Sequence, residues 1–219
     1  MASKDISMLS CQQQNALQEQ RFINRRFQPA DKRKLSITEL NRLSAEQYRD
    51  CPKTPLVVVL DHVRSLHNIG SIFRTADSFR LASVYLCGIT ATPPHPEIHK
   101  TALGAEETVD WHYFKDTLEA VHQLKQNKYI LYAVEQTEGS LSLDKITLDP
   151  TKKYALILGH EVKGVQQTVV NECDYCVEIP QFGTKHSLNV AVAGGIVIWE
   201  FFKNLVGAHP CGRPIVVNG

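Results

Sequence analysis

Residues 179–200, IPQFGTKHSLNVAVAGGIVIWE, place polar groups where a strongly apolar segment begins. A short strand ends at Ile179-Pro180, a turn containing Gly183 follows, and Ser187-Leu188-Asn189 open the apolar run. Ser and Asn at a helix start can satisfy orphan backbone N–H groups while their remaining donors and acceptors hold a ligand. Capping alone would also account for both, so the pair gains meaning only from its company. One companion is Leu156-Ile-Leu-Gly159-His-Glu161-Val-Lys-Gly164-Val165, a buried strand running into a turn with glycine at each end and one carboxylate between. Glycine permits positive φ and close approach of the backbone to a bound molecule. The other is Asn68-Ile-Gly70-Ser-Ile-Phe-Arg74-Thr-Ala76, which follows an apolar strand and the polar connector Asp61–His67. Ile69, Ile72, Phe73 and Ala76 recur at i, i+3, i+4 and i+7, which predicts an amphipathic helix with Asn68 at its N-cap. Arg74 lies off the apolar stripe, where a solvated helix face is the plain reading. The dinucleotide fingerprint Gly-x-Gly-x-x-Gly and the phosphate-binding P-loop are both absent.

Taken together, the three segments resemble the motifs of the SpoU/TrmH family, in the SPOUT superfamily of RNA methyltransferases. The family pattern is Asn-x-Gly-x-x-x-Arg-Thr-Ala, then Gly-x-Glu-x-x-Gly, then Ile-Pro-x-x-Gly-x-x-x-Ser-Leu-Asn-Val, and each element is matched in order over residues 55–205. His160 occupies a variable place, Gln181 stands where Met is common, and Ala191 where Ser is frequent. None of these departures removes a residue that the family uses chemically.

The resemblance implies methylation of RNA with S-adenosyl-L-methionine, at a ribose 2′-hydroxyl of tRNA or rRNA. It implies that the main chain at Gly159, Ile179 and Leu188 holds the adenosine part of the donor, with residues 133–137 bordering the same pocket. Glycine at 159 is expected to let the chain pass close to the donor, so that Gly159→Val blocks binding more than it perturbs folding. Asn68, Glu161, Ser187 and Asn189 are implied to surround the reacting centre. Glu161 would hold a neighbouring helix or Asn68 by accepting hydrogen bonds; Ser187 and Asn189 would orient the donor or the ribose. The motif arginine, Arg74, is implied to activate the hydroxyl. A group with pKa above about 12 is a poor literal base. A role in binding the adjacent phosphate and stabilising developing negative charge suits it better. Two competing classes are a nucleotide-cofactor oxidoreductase, which lacks its glycine fingerprint here, and an RNA-binding protein that has lost catalysis. The motif Arg, Glu and Asn whose loss would mark the latter are all present.

These residues need a scaffold. Strands are expected at 56–60, 83–87, 108–113, 129–134, 154–158 and 175–179, and helices at 69–80, 116–127, 162–171 and 188–206. Continuous apolar strands between helices indicate an α/β fold, a mostly parallel sheet covered by helices on both faces. Only the resemblance implies a deep trefoil knot in the C-terminal third. The last helix is apolar almost all round, and the resemblance favours a homodimer through it, with the active site completed across the interface. Residues 1–54 read as a basic, partly disordered N-terminal extension with a short helix, and by resemblance 55–219 as a SPOUT-like methyltransferase domain. Within 21–34 stand Arg21, Arg25, Arg26, Lys32, Arg33 and Lys34 against Asp31 alone, an arm suited to phosphates or simply a solvated tail. Ser36-Ile-Thr-Glu39 reads as a capping box opening a short helix with Ile37, Leu40 and Leu43 on one face.

Composition limits the alternatives. The chain has 219 residues, 43% hydrophobic and 21% charged, with net charge +1. That describes an ordinary globular protein rather than a polycation. No signal-peptide pattern opens the chain, and Val190–Trp199 is half a membrane span, so a cytoplasmic protein with no membrane partner is expected. Cys173-Asp-Tyr-Cys176 lacks a second Cys or His pair, and the histidines show no His-x-x-x-His, so no metal site is expected.

Overall fold

A computed structural model describes residues 33–36, 38–40 and 42–206, together with Gln13. Seven strands, β1 (Thr54–Asp61), β2 (Leu81–Cys87), β3 (Trp111–Phe114), β4 (Tyr129–Val134), β5 (Leu141–Ser142), β6 (Lys153–Leu158) and β7 (Tyr175–Glu178), make one sheet. Their order is β3-β2-β1-β6-β4-β7-β5, and every neighbouring pair is parallel. The helices are α1 (Ala45–Asp50), α2 (Leu66–Ser78), α3 (Pro96–Ala102), α4 (Thr117–Gln126), α5 (Gln167–Val170) and α6 (Val190–Leu205). The α/β architecture is as expected, with the sheet parallel throughout.

Alternation along β1 shows why its run is apolar without a break. Leu56, Val58 and Leu60 enter one core with Ile72 and Phe73 of α2 and Val197 and Phe201 of α6. Val57 and Val59 enter a second with Val121 and Leu124 of α4 and Val169 of α5. Each strand residue therefore meets a helix on one face or the other. Burial of a side chain the size of Phe73 or Phe201, both fully inaccessible, contributes roughly 1.5–3 kcal/mol. Two glycines set helix separations. A Cβ on Gly70 would lie 2.2 Å from Thr101 Oγ1 and 2.3 Å from the Ile98 carbonyl oxygen, so α2 and α3 touch through backbone. A Cβ on Gly194 would lie 2.6 Å from Ile72 Cδ1, which presses α6 onto α2.

Several local expectations are corrected. Asn68 is not the N-cap of α2. Ser65 is, its hydroxyl accepting from the Asn68 N–H, and Asn68 is the third helical residue. The expected helix 162–171 shrinks to 167–170, because Gly164 sits at φ 66° and bonds back to His160 as an antiparallel bridge. The strand expected from 108 starts at Trp111, after a 3-10 turn at Ala105–Glu107. α3 was not expected in a proline-rich stretch. Pro96 occupies its first turn, where the missing N–H costs nothing, and His95 Nδ1 accepts from the Glu97 N–H. Ser36 and Glu39 do pair through the Ser36 N–H at 2.8 Å, but they enclose only the 3-10 turn Thr38–Leu40. The reciprocal capping box belongs instead to Ser44 and Gln47 at the start of α1, whose Tyr48 joins the larger core. Arg21, Arg25, Arg26 and Lys32 of the basic arm, and Ile37, lie outside the described residues.

Candidate active-site cleft

The carboxyl ends of β6, β4 and β7 are adjacent in the sheet, and the segments leaving them enclose a cleft of about 250 Å³. Open parallel sheets bind ligands at this end of their strands. Leu158, Val177, Ile179, Leu188 and Val190 make its apolar walls; Glu135, Gln136, Glu161, Glu178 and Ser187 supply polar groups. Gly159, Ile179 and Leu188 all line it, as do Glu161 and Ser187, and of residues 133–137 Val134, Glu135 and Gln136 do so. Asn68, Asn189 and Arg74 are not among its walls.

The fold itself demands glycine at 159: a Cβ there would lie 2.1 Å from Gly164 C and Val165 N, in the returning turn. Residues 160–164 double back tightly: His160 and Gly164 exchange backbone hydrogen bonds at 3.0 and 2.8 Å. His160 Nδ1 accepts from the Val162 N–H at 3.0 Å. Glu135 closes the turn from the β4 side, accepting from the Val165 N–H at 3.0 Å. It lies within 133–137, the stretch expected at the pocket border, where the sequence assigns it no role of its own. A lone Glu after a strand carries no signal until the turn it holds is seen.

The turn aims Glu161 at the start of α2. Its Oε1 accepts from the Ser65 N–H at 2.9 Å and from Asn68 Nδ2 at 3.0 Å, and its Oε2 accepts from the Arg64 N–H at 3.1 Å. Burial opposes the carboxylate charge, but these donors outweigh it and hold the pKa below the ordinary glutamate value. Asn68 Oδ1 then accepts from Asn189 Nδ2 at 3.1 Å, and Asn189 Oδ1 caps α6 through the N–H groups of Ala191 and Val192. Glu161, Asn68 and Asn189 thus form one chain joining three separate motifs. Ser187 stands exposed on the cleft wall within residues 182–189, whose Gly183 has open space around it. Gln136 Nε2 ties this segment to the end of β4 through the His186 carbonyl.

Behind the turn, Asp61 at the end of β1 is fully buried. It accepts from Thr117 Oγ1 at 2.6 Å, from Gln166 Nε2 at 2.8 Å and from the Gln166 N–H at 2.8 Å. Burial pushes its pKa up, yet these donors bring the net value below the usual aspartate one. Nothing in the motif spacing marks this residue, which fixes the far side of the 159–165 turn.

Arg74 lies elsewhere. It is exposed and lines a separate groove of about 470 Å³ between α2 and α3, with Ser71, Thr75, Ser78, Phe79, Lys100 and Thr101. Cys173 and Cys176 carry free thiols, and burial pushes the Cys173 thiol up to about 12, which leaves it protonated and inert. Among the described residues, His99, Glu106 and Glu107 bring ligand-type atoms within 4.8 Å of one another; His99 Nδ1 lies 2.5 Å from Glu106 Oε1, within hydrogen-bond distance. No described helix is long and apolar enough to cross a membrane.

With this fold and cleft, the chain belongs to the SpoU rRNA Methylase family, whose model matches residues 55–199. It is 32% identical over 169 residues to the 23S rRNA (guanosine-2'-O-)-methyltransferase RlmB of Nitrosomonas europaea, covering 76% of this chain and 64% of that enzyme. The crystal structure of an AdoMet-bound rRNA methyltransferase from Sinorhizobium meliloti is 28% identical, with a TM-score of 0.65, covering 73% of this chain and 61% of that one. The A. aeolicus TrmH/SpoU tRNA modifying enzyme shares the fold, with a TM-score of 0.67 at 24% identity, over 78% of this chain and 87% of that chain. The chain thus spans under two thirds of the first two relatives.

Proposed function

We propose that the chain methylates an RNA ribose 2′-hydroxyl, in tRNA or rRNA, with S-adenosyl-L-methionine as donor. The observation that carries the reading is the cleft at the ends of β4, β6 and β7, joined through Glu161, Asn68 and Asn189 to the helix that bears Arg74. The relative's printed activity, guanosine-2'-O-methylation of 23S rRNA, and the AdoMet bound in the S. meliloti structure support it.

The cleft suits the donor chemically. Its apolar walls can flank an adenine ring, and Glu135, Glu161 and Glu178 offset only Lys163, which favours a sulfonium and an ammonium. When bound, the donor supplies an electrophilic methyl group on a good leaving group. The chain's own residues then have two tasks. Gly159, Ile179 and Leu188 hold the adenosine part, while Ser187 and Asn189 orient donor or ribose. Glu161 positions Asn68 by accepting a hydrogen bond from its side-chain amide. Arg74 binds the phosphate beside the target and stabilises negative charge developing on the hydroxyl oxygen, with the proton leaving to that phosphate or to water.

A second subunit brings Arg74 to the cleft. Val192, Ile196 and Trp199 form an exposed apolar stripe on α6, at 52, 40 and 51% accessibility. Such a stripe suits a homodimer through α6. The segments after β6 and β7 form the trefoil knot of the family, residues 1–54 act as an N-terminal extension carrying a short helix, 55–219 form the methyltransferase domain, and the protein works in the cytoplasm.

The test is transfer of a labelled methyl group to bulk RNA, with calorimetric titration of S-adenosylmethionine and NAD. Donor binding without NAD binding, followed by label in ribose, is expected. NAD binding alone would indicate an oxidoreductase, and RNA binding without transfer an inactive relative.

A further inference from the structure

We propose that the groove between α2 and α3 is an RNA-backbone site in which Arg74 and Lys100 take phosphates and the hydroxyl oxygens of Ser71, Thr75 and Ser78 accept from ribose 2′-hydroxyls. The inference rests on the RNA substrate argued above and names surface beyond the motif arginine. The groove is open and polar, and Gly70 fixes its width by bringing α3 against α2. On α2, Ser71, Thr75 and Ser78 stand at i, i+4 and i+7 with Arg74 between them, so all four share one face.

The direction of their hydrogen bonds decides what the hydroxyls can recognise. Ser71 Oγ donates to the His67 carbonyl at 2.8 Å, Thr75 Oγ1 to the Ser71 carbonyl at 2.9 Å, and Ser78 Oγ to the Arg74 carbonyl at 2.8 Å. A hydroxyl has one proton and two lone pairs. With each proton committed to the helix, only acceptors face the groove. Acceptors repel a phosphate but suit a donor, and the sugar hydroxyl that RNA has and DNA lacks is such a donor. The two cations supply the complementary half. Lys100 Nζ is held by Glu97 Oε1 at 2.5 Å, and Glu97 Oε2 meets His67 Nε2 at 3.1 Å. Exposed pairs of this kind are weak and screened. Glu97 therefore parks Lys100 beside the groove until a phosphate replaces it.

The full chain is titrated against a single-stranded oligoribonucleotide and the deoxyoligonucleotide of the same sequence, by fluorescence anisotropy across a salt series. Lys100→Ala should weaken both ligands and flatten the slope of log affinity against log salt by about 0.7. Glu97→Gln should tighten both several-fold. Ser71→Ala with Ser78→Ala should weaken the ribose ligand about fivefold and leave the deoxy ligand unchanged; alanine favours the helix, so folding is preserved. An unchanged salt slope in Lys100→Ala overturns the phosphate half. Equal losses on both ligands, or none, in the double serine variant overturn the ribose half. Wild-type methyl transfer to bulk RNA separates the two readings. If transfer persists while these variants bind as wild type, the groove assignment alone fails. If wild type neither binds nor methylates RNA, both fail.

Discussion

The cleft beside β4, β6 and β7 and the groove between α2 and α3 differ in charge and in shape. The cleft is walled by apolar side chains and carries Glu135, Glu161 and Glu178; the groove is open, hydroxyl-lined and carries Arg74 and Lys100. One suits a compact cationic donor, the other a polyanion. Helix α2 is tied to the cleft by the Asn68–Glu161 hydrogen bond at its start and lines the groove with Arg74 further on. Six residues of helix separate them by about 9 Å along the axis and roughly 240° around it. Within one chain, the two residues therefore face different ways. The comparison teaches that a single subunit carries both surfaces but does not bring them together.

The strongest way to break this division is Arg74→Ala. Turnover should fall about 10²–10³-fold while donor affinity, measured by calorimetry, stays intact. Arg74→Lys, which keeps charge but loses the planar fork, should also lose most activity. Near-wild-type turnover in Arg74→Ala would sink the assignment.

Asp61→Ala attacks the cleft from behind by leaving the Gln166 and Thr117 donors without an acceptor. It should lower unfolding free energy by about 2–4 kcal/mol in denaturant titration. The pH dependence has a definite sign. Asp61 titrates below its usual value when folded. Its stabilisation is fully present above the unfolded pKa, about 3.9, and is lost as pH falls through the lower folded value. The stability gap between wild type and Asp61→Asn should therefore hold at neutral pH and narrow below about pH 4.

Gly159→Val separates two explanations of that glycine. The backbone clash with Gly164 and Val165 should cost about 1–3 kcal/mol and lower the melting temperature along with donor binding. A variant that melts normally yet fails to bind the donor would favour the other explanation, in which the side chain intrudes on the ligand.

The mildest test sharpens the comparison most. Arg74→Ala and Asn189→Ala subunits, each weak alone, are mixed and refolded. If Arg74 serves the partner's cleft, one intact site forms in each mixed dimer, and activity should recover to about a quarter of wild type. Recovery no greater than the sum of the two variants would place both residues in the same subunit's site.

Much of this was readable along the chain. The periodicity of 69–76 and the uninterrupted apolar runs of β1 and β6 reflect rules that act over a few residues, and the parallel sheet followed from them. The misses share a cause. Ser65 displaced Asn68 as N-cap because polar residues three positions apart compete equally until the helix axis is set. The helix expected from 162 failed because Gly164 takes a left-handed conformation to return to His160, and apolar spacing does not report φ. β5, with two residues, exists only because β7 is there to pair with it.

The sequence by itself determined the family, the α/β alternation and the residue types gathered at the cleft, since these depend on motif identity and local periodicity. Tertiary structure alone decided that Glu161 reaches Asn68 across 93 positions, that Glu135 and Asp61 hold the glycine turn, and that Arg74 faces a different surface from the cleft. Those outcomes depend on strand order and on rotation about α2, which are set by how distant segments pack and leave no trace in the spacing of neighbours.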